Sequence, residues 1–112
     1  MSVQQRELWL VPFPFSDFSG RKVRPVMVIS KNEFNASSED SIVCGITSNI
    51  TKEQHTVQLN KEDLEEGHLF DPCGVKVENI LKINNKLLLK KIGKVKEKVL
   101  KESIVKLNTL FK

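Results

Sequence analysis

Apolar residues alternate or run together in short bursts along most of this chain. Only near the C-terminal end does their spacing lengthen to that of a helix. Glu7-Leu8-Trp9-Leu10-Val11-Pro12-Phe13 is short, apolar and aromatic, and predicts a strand. Pro12 and Pro14 end it or confine it to a sheet edge. Ser16 to Gly20 is a loop by its turn residues. Pro25-Val26-Met27-Val28-Ile29-Ser30 is an unbroken apolar run and predicts a buried strand. Lys31 to Asp40 is polar and loop-like, with room for one helical turn. Ser41 to Thr47 forms a third strand, which Ser48 and Asn49 leave, and His55 to Leu59 a fourth. Lys61 to Gly67 is acidic and turn-like. Gly74 to Ile83 predicts a fifth strand with a bulge near Asn79. A short helical turn follows in Asn84–Lys90, then another short strand at Lys91–Val95. From Lys96 the period changes: Leu100, Ile104, Leu107 and Phe111 fall at i, i+4, i+7 and i+11, one stripe of a terminal helix. Five or six short strands and one helix predict a mainly β fold, a small and strongly bent barrel with the C-terminal helix packed against it.

Composition narrows the class. The chain has 112 residues, which leaves no room for a second core, so residues 1–112 are expected to form a single domain. No apolar run approaches the roughly 20 residues of a membrane-spanning helix. The N-terminus lacks a charged-then-apolar export pattern, so the expected compartment is the cytoplasm. Two cysteines, Cys44 and Cys73, are too few for a disulfide scaffold and are expected to act as small apolar residues. A domain of this size has few aliphatics to spare for a cofactor cavity, and no Gly-rich phosphate motif is present; no cofactor is expected. The net charge of +4 is unevenly placed. Residues 1–32 carry five basic against two acidic side chains, residues 33–79 three against ten, and residues 80–112 ten against two. If the fold gathers the two basic blocks on one face, that face attracts a polyanion.

Two histidines, His55 and His68, raise the question of a general acid–base pair. His55 alternates with Val57 and Leu59 and is expected on the polar side of its strand; His68 lies in an acidic loop. Neither points to catalysis. Two His and two Cys without ligand spacing give no metal site. The stretch from Phe15 to Pro25 is more specific. Arg24 directly precedes Pro25, which fixes the backbone where a buried strand begins, and a guanidinium held there is a preorganised fork for a phosphate. Its structural alternative is an ion pair with Glu7 or Asp17. Phe15 and Phe18 either stack on unpaired bases or cap the core.

These residues resemble the MazF/PemK-type toxins of toxin–antitoxin pairs. The resemblance rests on Glu7 to Phe13, on Lys22-Val23-Arg24-Pro25-Val26-Met27-Val28-Ile29-Ser30, and on Ile46-Thr47-Ser48-Asn49 at the end of a later strand. It continues through Lys91-Ile92-Gly93-Lys94-Val95 and the terminal helix. It implies a small SH3-like barrel of the CcdB/PemK-like plasmid-maintenance toxin fold that dimerises. The activity implied is that of a sequence-specific endoribonuclease, an mRNA interferase. It cuts single-stranded RNA without a metal and leaves a 2′,3′-cyclic phosphate and a 5′-hydroxyl. An antitoxin with a disordered acidic tail would neutralise it. Carried over residue by residue, the catalytic positions fall on Arg24 and Thr47. RNA-binding positions fall on Phe15, Ser16, Asp17, Phe18, Arg21, Lys22, Ser48 and Asn49. Asp17 is either a participant in proton transfer or a turn-forming residue. The chain departs from the family where Arg6 stands in place of a usual glycine, and in His68 to Gly74. The competing readings are a toxin of the same fold that inhibits DNA gyrase by binding, and a non-catalytic RNA-binding barrel.

Overall fold

The computed structural model describes residues 2–13, 22–48, 55–69 and 71–112. Strands β1 (Glu7–Phe13), β2 (Lys22–Val28), β3 (Asp40–Thr47), β4 (Thr56–Leu59), β5 (Leu64–Gly67), β6 (Cys73–Asn84) and β7 (Lys90–Val95) form one sheet in the order β4-β6-β3-β2-β1-β7-β5. Every neighbouring pair is antiparallel. The two edge strands are consecutive in the chain, separated by the 3-10 turn Lys61–Asp63. A seven-stranded sheet whose edges are tied by so short a connection must curl, and the result is a half-barrel. Helix α1 (Asn32–Ser37) bridges β2 and β3, and α2 (Glu97–Thr109) packs on β4 and β6.

The alternation in the strands feeds two apolar clusters, one on each face of the sheet. Leu8, Met27, Cys44, Ile46, Val75 and Val77 meet Val99 and Leu100 of α2 on one face. Trp9, Val11, Val26, Val28 and Val43 pack with Val3 and Leu88 on the other. Both cysteines are free and buried. Burial, with a smaller contribution from Glu78, pushes the Cys44 thiol up to about 12, and burial also raises that of Cys73. Both thus stay protonated and behave as apolar side chains.

The structure corrects several expectations. Lys61–Gly67 is not all turn: its second half is the edge strand β5, bonded to β7. Its glutamates face water, so it shows no alternation to read. Gly67, at φ 87°, closes the strand where an added Cβ would meet the Ile92 carbonyl oxygen. The expected helical stripe is buried only in part. Val99, Leu100 and Ser103 are buried, whereas Ile104 is 39% and Phe111 74% exposed. The side of α2 that meets the sheet is centred on Val99 and Ser103, next to the stripe that hydrophobicity alone selects. His55 is half-buried and its Nδ1 is sealed from solvent without a hydrogen-bond partner among the described residues. A period of two puts residue 55 on the same side as Val57 and Leu59, not on the polar side. Arg6 has φ 80°, a region that favours glycine. Its side chain offsets the strain with bonds to the Val95 carbonyl (3.0 Å) and Glu65 (3.1 Å).

Asp63 fastens the edge-closing turn to the helix. Its carboxylate accepts from the Asn60 backbone N–H at 2.8 Å and pairs with Lys98 of α2 at 3.1 Å, while its carbonyl accepts from Lys96 N–H at 2.8 Å. Burial by itself would raise the carboxyl, but the Asn60 N–H, Lys98 and Lys96 outweigh it and hold the folded pKa below the ordinary 3.8. A carboxyl depressed in the folded state contributes stability above its unfolded pKa and loses it as pH falls through the folded one. Acid titration of unfolding is therefore expected to show a loss of stability below about pH 4 that Asp63→Asn reduces, with the variant already less stable at neutral pH.

Candidate active site

Arg24 and Thr47 are 23 positions apart in the chain but come together across β2 and β3. The ladder pairs Val28 with Val43, Met27 with Cys44 and Val26 with Gly45. It ends there, next to Pro25, which has no N–H to donate. Two residues further along the same register, Arg24 comes level with Thr47, so the two share one face of the sheet. Both line a cleft of about 140 Å³ together with Gly45, Lys76 and Asn79. Arg24 is exposed and Thr47 half-buried.

The far wall of the cleft is made by an irregularity in β6. Cys44 pairs with Ile80, but Gly45, the next residue, pairs with Lys76. Residues 77 to 79 bulge out of the β3–β6 ladder, where the sequence pattern predicts a bulge near Asn79. The Asn79 side chain lies over Gly45: a Cβ there would come within 2.5 Å of Asn79 Nδ2. Gly45 thus supplies the space that lets the carboxamide sit inside the cleft. Arg24 also borders a second, more apolar cleft of about 380 Å³, whose walls include Leu8, Ile46, Cys73 and Ile92.

The sequence-derived candidates distribute as follows. Arg24 and Thr47 are brought together. Ser48, exposed, borders the second cleft rather than the first, because adjacent strand residues face opposite ways. Lys22 is the first residue of β2, paired with Phe13. Phe15, Ser16, Asp17, Phe18, Arg21 and Asn49 lie outside the described residues. The Glu7 carboxylate, considered above as a partner for Arg24, is buried. It takes the Trp9 Nε1–H (3.0 Å), the Gln4 N–H (2.9 Å) and Lys91 (3.1 Å). Hydrogen bonds to Glu7 and then Glu66 raise the Lys91 ammonium above its usual value. Neither histidine lines the Arg24–Thr47 cleft; exposed His68 borders a separate hollow with Lys61 and Leu69. Among the described residues no group of three His, Cys, Asp or Glu side chains is placed to hold a metal ion. Lys76 and Asn79 line the cleft without being among the sequence-derived candidates. The signal for Lys76 is its place between Val75 and Val77, the polar position of an alternating strand.

A family model for the PemK-like, MazF-like toxin of type II toxin–antitoxin systems matches residues 4–111. The chain belongs to this family. No curated protein matches it in sequence. Among solved structures this PemK/MazF-family chain is similar to MazF from Deinococcus radiodurans, with 20% identity and a TM-score of 0.78, covering 98% of this chain and 96% of that one. It is also similar to the Mycobacterium tuberculosis toxin MazF-mt6, with 18% identity and a TM-score of 0.76, covering 95% and 96%. A third is a mycobacterial endoribonuclease in complex with its cognate antitoxin, with 14% identity and a TM-score of 0.74, covering 96% and 93%. At these identities the likeness is one of fold, and it spans nearly the whole of the PemK/MazF domain. No described helix is long and apolar enough to cross a membrane.

The cleft geometry makes a structural prediction. Gly45→Ala is expected to leave the fold intact, because the atom it displaces is the end of a side chain, and to push the Asn79 carboxamide out of the cleft. Its side-chain NH₂ signals in an ¹H–¹⁵N NMR spectrum should shift while those of Asn35 and Asn85, hydrogen-bonded elsewhere, stay in place.

Proposed function

We propose that this toxin cleaves single-stranded RNA within the strand, using the ribose 2′-hydroxyl as nucleophile and no metal. The observation that carries the reading is the meeting of Arg24 and Thr47 on one wall of an open cleft. Membership in the toxin family and the fold shared with a mycobacterial endoribonuclease support it.

The chemistry needs no cofactor to balance. The 2′ oxygen bonds to phosphorus as the bond to the 5′ oxygen breaks. The 2′ proton is lost and a proton is delivered to the 5′ oxygen, giving a 2′,3′-cyclic phosphate and a 5′-hydroxyl. Negative charge grows on the non-bridging oxygens as phosphorus becomes five-coordinate. Arg24 meets that charge with a planar fork that stays protonated at neutral pH, where a pKa above about 12 makes it a charge donor and a poor base. The Thr47 hydroxyl and the backbone N–H groups at the end of β3 donate to the same oxygens. Holding the phosphate on two strands of one sheet keeps the attacking and leaving oxygens in line. Phe15, Ser16, Asp17, Phe18, Arg21, Lys22, Ser48 and Asn49 are proposed to bind the flanking nucleotides. Within this reading the protein acts in the cytoplasm as a homodimer, and an antitoxin with an acidic tail competes with RNA for the basic cleft.

Incubating the purified protein with a long single-stranded transcript and mapping the ends of the fragments tests this. Cyclic phosphate and 5′-hydroxyl ends are expected, at the same rate in excess EDTA. Arg24→Ala and Thr47→Ala should each lower the rate by about 10²–10³. A folded Arg24→Ala protein that cuts at the parent rate would refute the assignment.

A further inference from the structure

Where β2 and β3 part, the sheet carries two clefts. Gly45 and Thr47 line the first, and Leu8, Cys73 and Ile92 the second, while Arg24, Pro25 and Ile46 border both. The second holds about 380 Å³, and most of its wall is aliphatic. Apolar walls with a few polar groups at fixed points, at that volume, are the makeup of a small-molecule site. They offer a phosphate little, because an anion moved against aliphatic side chains loses its water without compensation. A nucleobase, flat and largely apolar on its faces, fits them. Because Arg24 borders both clefts, a strand with one phosphate at Arg24 can lay a neighbouring base in the second. Asp71 stands at the rim of that cleft, exposed, two residues before β6 begins at Cys73. Pro72 behind it narrows the backbone choices of Asp71. Among the described residues none forms an ion pair with it. An ionised carboxylate accepts hydrogen bonds and donates none. It repels phosphate and selects a base edge with donors side by side. Guanine alone of the four bases has one, N1–H next to N2–H₂ on the Watson–Crick edge. Adenine and cytosine set a lone pair beside the amino group, and uracil flanks its single N–H with two carbonyls.

We infer that the second cleft seats a base of the RNA beside the scissile phosphate, and that Asp71 makes guanine the preferred base there. The inference rests on reading the Arg24–Thr47 cleft as a phosphodiester site. The aliphatic walls hold any base by its faces, and the carboxylate at the rim reads the edge. Asp71 forms and breaks no covalent bond.

The test compares the parent protein, Asp71→Asn and, as a control on α1, Glu33→Gln. Two readouts are taken. One is the sequence around every cut in a long single-stranded transcript of mixed composition. The other is the sequence enriched by binding from an uncleavable 2′-O-methyl RNA pool of random sequence. In both, the parent is expected to favour guanine about 10-fold or more at one position within a nucleotide or two of the bound or broken phosphodiester. Asp71→Asn, whose carboxamide sets a donor beside an acceptor, should lose that preference and take adenine or cytosine at the same position. Glu33→Gln should match the parent. A parent that cuts with no preference there, or with a preference for another base, overturns the inference and leaves the nuclease reading standing. A folded Asp71→Asn protein that keeps the parent's guanine preference does the same. A parent that enriches guanine from the pool without cutting RNA, and loses the enrichment on Asp71→Asn, overturns the nuclease reading and keeps the guanine site. A parent that neither cuts nor binds overturns both.

Discussion

The register between β2 and β3 is the constraint on which the rest depends. Val26 opposite Gly45 sets it, and it is held by apolar side chains on both faces of the strand pair. Slipping one strand by a single residue would turn Arg24 and Thr47 to opposite sides of the sheet. Pro25 then decides where the pairing stops. Because it cannot donate an N–H, the ladder ends beside it and the cleft lies at the point where the strands part. The same short segment thus buries Val26, Met27 and Val28 to hold the register and presents Arg24 at the end of it. Stability and chemistry are adjacent here, and they are separated by one residue with no backbone donor.

The placement of charge follows a similar division. Two basic blocks flank an acidic one in the sequence, which invites the picture of a broad basic face. The fold instead lays the acidic strand β5 along β7, where Glu65 and Glu66 take up Lys94 and Lys91, and Asp63 takes Lys98. Three of the ten C-terminal lysines are thereby paired along one edge. These surface pairs are each worth about 1 kcal/mol or less, so their effect is on the shape of the potential more than on stability.

Much of this was legible in the sequence, for reasons particular to each element. Buried strands such as β3 and β6 announce themselves because a period of two is enforced by an apolar core. The bulge at residues 77 to 79 shows as a break in the alternation of β6. Arg24 stands out by its place before Pro25 and Thr47 by resemblance alone, and their convergence depends on register, which no local pattern encodes. Strand β5 leaves no mark in the pattern because an edge strand with a solvated face needs no apolar alternation. Its place is set by Gly67 and the β7 ladder. The buried face of α2 lies one position from the stripe that apolar spacing predicts, because Ser103, buried and bonded to the Val99 carbonyl at 2.8 Å, reads as polar in sequence. Lys76 and Asn79 join the site only through the β6 bulge and the missing side chain at Gly45, both of which are three-dimensional facts.

Whether Arg24 and Thr47 act on one phosphate as a unit is the central claim, and a double-mutant cycle on single-turnover RNA cleavage measures it most directly. Groups that serve the same oxygens are strongly non-additive. Arg24→Ala combined with Thr47→Ala is therefore expected to cut hardly more slowly than the slower single variant. A double variant whose loss is the full product of the two single losses would show that the side chains act independently, and would contradict the account.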